Sequence, residues 1–303
     1  MHFGLDFFEL FAKHGHVFTL VFSMWCFLFH TGSSFVINSD SQRYRTWPNG
    51  IVNFILPPNE YNAQEEGVIR QAMQQIQNDM SGCVRFQEVF RPTTPGLRYT
   101  VITHNGGLSG VGGQSCYAFP GMVVSQTGQG QFMAMQGGTN GCLASPRQAM
   151  RLLVSLLGLR SEHNKPNRDN FIQINQANLN AVAMGNNIFN IYDASKSLSD
   201  SGFDYNSITL PDSQTVYSNN GQPTIVSRTG TPFQNPGRLS PQDCQALRYM
   251  YNCNIQCNGE SNGSNGFTTP PPHLPFSPFP TGFTFFSTRV PSSTFDVSVD
   301  FKK

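Results

Sequence analysis

An α+β fold is what this sequence predicts, and three features carry the prediction. Residues 63–80 place Val68, Ile69, Ala72, Met73, Ile76 and Met80 at helical spacing, so one apolar face is expected there. Short β-prone runs follow at 83–90 and 98–102, each bounded by Pro or Gly. A second, mostly apolar helix is expected to open at Ser145 and Pro146 and to stop at Gly158.

Each element has its own local reason. Asn62 with Glu65 three residues on makes a capping pair for the first helix. The glycine-rich run 105–113 lacks the Gly-Lys-Ser/Thr ending of a phosphate loop and follows no strand-to-helix pattern, so it reads as a turn. In the second helix Ser145 is the cap, Pro146 occupies the first turn, and Met150, Leu153, Val154 and Leu157 argue for burial.

Composition narrows the function classes. The chain has 303 residues and a net charge of +1, so no long-range field favours nucleic acid or an anionic membrane. Charged residues are 12%, but 38% hydrophobic and 12% aromatic residues suffice for a folded core. With 28 Gly and 20 Pro, irregular loops are expected and a helix bundle is not.

Residues 17–29 form a 13-residue apolar run followed by small residues, which reads as a secretory signal region over 1–34. The run is short for a membrane span, and an uncleaved anchor is the lesser reading. Outside it stand Cys83, Cys116, Cys142, Cys244, Cys253 and Cys257, an even set suited to three disulfides, although spacing does not choose among the pairings. The compact domain is read as 45–257. Residues 258–303 differ in composition, with seven Pro and eight Phe and no helix or strand period. They read as a disordered tail, although the phenylalanines could dock onto a partner or onto the domain itself. Asn262 heads a glycosylation sequon in that tail.

A family resemblance runs from Arg45 to Cys253. Trp47-Pro48-Asn49-Gly50, Cys83-Val84-Arg85-Phe86 and Gly113-Gln114-Ser115-Cys116-Tyr117 contribute to it. The most specific stretch is residues 158–175, Gly-Leu-Arg-Ser-Glu-His-Asn-Lys-Pro-Asn-Arg-Asp-Asn-Phe-Ile-Gln-Ile-Asn. This pattern resembles the astacin metalloendopeptidases, of the metzincin group. The resemblance implies an α+β metzincin fold, two lobes flanking a cleft, linked by disulfides. It pairs Cys83 with Cys253 and Cys116 with Cys142, leaving Cys244 with Cys257. It also gives Glu162 the role of meeting the mature N-terminus, against the alternative that Glu162 is a surface carboxylate.

The same resemblance shows what this sequence lacks. Metzincins place two zinc-binding histidines one helical turn apart, bring a third round after a glycine, and use a glutamate as general base. Anchored on Gly158, the ligand positions are Arg151, Ser155 and Ser161, and the base position is Leu152. A guanidinium has no lone pair to give, a serine hydroxyl is a poor zinc ligand, and leucine cannot accept a proton. The family's methionine-turn position is Thr209, and its tyrosine position is Pro211. The seven histidines are His2, His14, His16, His30, His104, His163 and His273. No two are four apart, so no H-E-x-x-H exists in any register.

Other candidates are bland. Ser155 with His104 or His163 lacks a nucleophile elbow and reads as packing. Glu162 and His163 are two adjacent residues, not a metal site, and His163 is expected on the solvated surface. The resulting expectation is a secreted, extracellular pseudo-protease with no cofactor, zinc entering only if the family's activity persists. Its partner would be a peptide or protein in the vestigial cleft, with no nucleic acid, and no membrane apart from an uncleaved anchor. Two rivals are an active zinc metalloendopeptidase with atypical ligands and a structural matrix component.

Overall fold

Helix α1 (Ala63–Asp79) crosses between two parallel strands, β3 (Ile51–Ile55) and β4 (Arg85–Glu88). The computed structural model describes residues 34–90, 96–106, 116–125, 130–138, 141–234, 236–257 and, as backbone, 298–300. The segment before Ser34 read as a secretory signal, most of the glycine-rich run and the sequon at Asn262 lie outside the described residues. Among those described, no helix is long and apolar enough to cross a membrane.

The principal sheet continues through β5 (Thr100–Thr103) and β8 (Gln131–Ala134), both parallel to their neighbours. Strand β6 (Cys116–Ala118) then pairs antiparallel with β8, and β12 (Ser298–Asp300) pairs antiparallel with β6. The order is β12-β6-β8-β5-β3-β4. Three two-stranded antiparallel sheets complete the pairing. They join β1 (Val36–Asn38) to β10 (Ser197–Ser199), β2 (Tyr44–Arg45) to β7 (Met122–Val123), and β9 (Ile172–Ile174) to β11 (Ile225–Ser227).

Helix α1 begins where the sequence places its cap. Asn62 Oδ1 accepts from the amides of Gln64 and Glu65, each at 3.0 Å, and Glu65 Oε2 accepts from the Asn62 amide at 3.2 Å. Such a cap contributes about 1 kcal/mol. Helix α2 (Pro146–Leu156) is capped by Ser145, whose hydroxyl accepts from Gln148 at 3.3 Å. It packs against α1 and buries Met150, Leu152, Leu153, Val154 and Leu156. A short helix α3 (Ala181–Gly185) and helix α4 (Pro241–Tyr251) follow.

Apolar burial divides into two cores, the dominant driving force in each lobe. The larger is built from the principal sheet with α1, α2 and α4, around Trp47, Ile69, Ile76, Met133 and Leu153. The smaller contains Ile172, Leu179, Ala183, Phe189, Tyr205, Tyr217 and Ile225. Trp47 is 1% exposed, and its indole nitrogen donates to the Leu156 carbonyl at 2.9 Å, fixing the end of α2. Disulfides join Cys83 to Cys253, Cys116 to Cys142, and Cys244 to Cys257. The first links the end of α1 to the segment after α4, closing a loop of 170 residues.

Residues on either side of the span read as the compact domain take part in strand pairing. Ahead of Arg45, β1 pairs with β10 and Ile37 is fully buried. The segment read as a tail without a strand period contributes β12.

Candidate functional site

The site is assembled from the last turns of α2, the bend after it, and residues 207–212. Gly158 makes the bend. Its φ is +108°, which favours glycine, and a Cβ there would stand 2.5 Å from Met250 Cε, the flexible end of a side chain that must shift to admit it. Arg151 and Ser155 lie one turn apart on α2 and share a face. Past the bend, the Ser161 amide donates to the Tyr192 hydroxyl at 3.2 Å.

Arg151 is half-buried, with its Nε shielded from solvent. Burial pushes its guanidinium down to about 10, opposed by the charge of Asp212. Leu152 is 3% exposed and packs in the larger core. The Ser155 hydroxyl is buried, with no hydrogen-bond partner and so no activating base among the described residues. His104 sits elsewhere, with Nδ1 3.3 Å from Glu60 and Nε2 3.4 Å from Glu65.

Arg147, one turn before Arg151, clamps the 207–212 segment. Its guanidinium donates to the Leu210 carbonyl at 3.2 Å from both terminal nitrogens, to the Ser207 carbonyl at 3.4 Å, and to the Asp212 carboxylate. Burial lowers its pKa, and Asp212 pulls the other way. Thr209 and Pro211 are both buried within this segment.

Glu162 and His163 are buried, not on the surface, each 2% exposed. Glu162 Oε1 accepts from the Ser34 hydroxyl at 2.6 Å and the Asp204 amide at 3.2 Å, and Lys165 Nζ stands 3.6 Å away. The Glu162 amide donates to Thr209 Oγ1 at 3.1 Å. Burial pushes the Glu162 carboxyl up to about 7, with Lys165 and Ser34 opposing. Burial also holds His163 well below the usual histidine range, reinforced by the charges of Arg151 and Arg168. The imidazole is therefore neutral, edge-on to Phe189 at 5.5 Å between centroids.

The polar chain continues to α4. Ser240 Oγ donates to Asp204 at 2.5 Å, and Asp243 accepts from Ser207 Oγ at 2.7 Å and the Ile208 amide at 2.7 Å. Burial raises both carboxyls. Ser34, Phe35, Glu162, Ser207, Thr209 and Asp243 line a small pocket between these groups. Arg147, Lys165, Asp204 and Asp243 were not singled out as functional from sequence. The one available signal is Arg147 at the spacing of Met150, Arg151 and Val154, a helical face on which two arginines alternate with apolar residues.

The donor chemistry does not fit a zinc ion at Arg151, Ser155 and Ser161, which offer a cation and two neutral hydroxyls. Among the described residues, no group of three His, Cys, Asp or Glu side chains is placed to hold a metal ion.

Comparison with known proteins places this geometry. The family model "Astacin (Peptidase family M12A)" matches residues 39–252. The chain is similar to zinc metalloproteinase nas-7 of Caenorhabditis elegans, 27% identical over 224 residues covering 72% of this chain and 51% of that protein. It is also similar to seminal metalloprotease 1 of Drosophila melanogaster, 34% identical over 107 residues covering 33% of this chain and 41% of that protein. The chain thus spans about half the length of the curated relatives it matches. Among solved structures it resembles high choriolytic enzyme 1, a hatching enzyme zinc-protease from the medaka Oryzias latipes. The TM-score is 0.51 at 23% identity, covering 71% of this chain and 96% of that one, a likeness of fold.

Proposed function

The chain belongs to the astacin family, peptidase family M12A, and on that premise we propose a secreted member that has given up zinc proteolysis and uses the retained scaffold to bind a peptide or protein. Arg151 carries this reading. It is a half-buried guanidinium at the position where the family pattern has its first zinc-binding histidine, and its charge opposes a divalent cation there. Leu152 beside it leaves no proton acceptor for attacking water. The scaffold meanwhile keeps the bend at Gly158, the Trp47 anchor and three disulfides. A fold kept with this chemistry replaced supports binding rather than turnover.

The test is metal content of the disulfide-intact full chain, made through a secretory pathway, beside a variant with Arg151→His, Leu152→Glu, Ser155→His and Ser161→His. The expected result is zinc near one per chain in the variant alone. Stoichiometric zinc in the natural chain, or peptide hydrolysis that a chelator abolishes, overturns the reading in favour of a metalloendopeptidase with other ligands.

A further inference from the structure

Lys165 is fully buried, which is rare for an ammonium unless it is paired. It follows the bend after α2, and it meets Asp200, just past β10 and 35 residues further along the chain. Its Nζ donates to Asp200 Oδ1 at 2.7 Å, to the Gly202 carbonyl at 2.8 Å and to Ser34 Oγ at 3.4 Å, so the amine is held in one place. The carboxylate is held unevenly. Oδ1 also accepts from the backbone amides of Phe35 and Gly202, each at 3.3 Å, whereas Oδ2 is buried with no hydrogen-bond partner among the described residues. Glu162 Oε1 stands 3.6 Å from the same Nζ and accepts from Ser34 Oγ at 2.6 Å.

We propose that Lys165 and Asp200 condense into an isopeptide bond, a self-modification of the folded chain that joins the bend after α2 to the end of β10. The parts the reaction needs are an amine, a carboxyl in contact with it and a third group that relays protons, all shielded from bulk water. Nζ attacks Asp200 Cγ, and the negative charge that develops on Oδ1 is met by the Phe35 and Gly202 amides. The bond from Nζ to Cγ forms and the bond from Cγ to Oδ2 breaks. Of the three ammonium protons, one stays on the amide nitrogen and two leave on Oδ2 as water, relayed by Glu162, which ends as it began. Charge balances too, because one cation and one anion become a neutral amide. The step needs no oxidant and no cofactor. Two costs of the folded state go with the water. A desolvated ion pair is replaced by a neutral group, and the oxygen that lacks a partner is the one expelled. The cross-link closes a loop of 35 residues and, unlike the three disulfides, survives reducing agents. It does not depend on whether the chain holds zinc, so it stands apart from the reading of Arg151.

Peptide mapping of the full chain, made through a secretory pathway, tests it. After reduction and trypsin, residues 161–168 and 197–228 are expected as one joined peptide, lighter than their sum by one water. A non-reduced digest of the same sample, showing Cys83 with Cys253, Cys116 with Cys142 and Cys244 with Cys257, reports that the chain is folded. In Lys165→Arg, which keeps the cation and loses the nucleophilic amine, the two peptides should run apart. In Glu162→Gln, which cannot relay a proton, the joined form should fall at least about tenfold. Separate peptides from the natural, correctly disulfide-bonded chain would reduce the contact to an ion pair and overturn the proposal. Loss of water mapped to residues other than Lys165 and Asp200, or complete joining in Glu162→Gln, would overturn it as well.

Discussion

The Ser34 hydroxyl donates a 2.6 Å hydrogen bond to Glu162, 128 residues further along the chain. That bond ties the start of the folded body to the bend after α2. It also opens a network that runs through Asp204 and Ser240 to Asp243. Three carboxyls buried together, with Lys165 the charge at hand, resist ionisation.

The first prediction is a pH dependence. Glu162, Asp204 and Asp243 are raised in the folded state above their unfolded values, so the folded chain binds more protons than the unfolded one. Their contribution is fully present below the unfolded carboxylate range near pH 4 and is lost as pH rises through about 7, the value for Glu162. His163 acts in the opposite sense, since an imidazole held neutral costs stability as pH falls below its ordinary value. Comparing the natural chain with Glu162→Gln cancels the histidine. The drop in guanidinium midpoint from pH 5 to pH 8 should be smaller in Glu162→Gln, and an equal drop would refute the assignment.

Arg147 supplies the second prediction. It is 8% exposed and holds the carbonyls of Ser207 and Leu210 together with the Asp212 carboxylate. Arg147→Met keeps the stem and removes every donor, leaving buried acceptors unserved. A loss of about 2–4 kcal/mol is expected, with exchange in residues 207–212 rising first. Loss below about 0.5 kcal/mol would mean that the segment is held by other contacts.

These two cases show what the sequence could reveal. Helices α1 and α2 were legible because their caps, Asn62 and Ser145, and their apolar spacing are local features. Strands of two or three residues, such as β1, β2 and β12, are too short to express a period of two. Residues 160–169 are almost wholly polar, so His163 reads as surface, and Glu162 reads as a surface carboxylate unless the resemblance is used to give it the mature N-terminus. Their burial comes from Ser34, Thr209 and Phe189, which are distant in sequence and are brought in by the fold. The guanidinium of Arg147 is visible in the sequence beside Arg151 on the face of Met150 and Val154, but its partners at 207–212 belong to a segment with no regular structure.

Gly158 gives the third prediction. Ala at this position must adopt φ +108° and place its Cβ 2.5 Å from Met250 Cε. The backbone term is of order 1–3 kcal/mol, and the contact, made with the flexible end of Met250, adds little. Gly158→Ala should therefore be destabilising. Adding Met250→Ala should recover only the steric part, so the double variant remains less stable than Met250→Ala alone. Full recovery would show that the conformation itself is not strained.

The last prediction concerns Ser155 and separates packing from ligation. Its hydroxyl is buried and has no hydrogen-bond partner among the described residues, so the folded chain carries the cost of a desolvated polar group. Ser155→Ala removes that oxygen and little volume. Stability should stay level or rise by up to about 1 kcal/mol, read as an unchanged or higher denaturant midpoint. If Ser155 instead engaged a metal ion or a bound water, the same substitution would lower the midpoint, and in the metal case the loss would vanish in chelator. A midpoint that falls only when metal is present would place a ligand at Ser155 and return this chain to the metal-dependent members of its family.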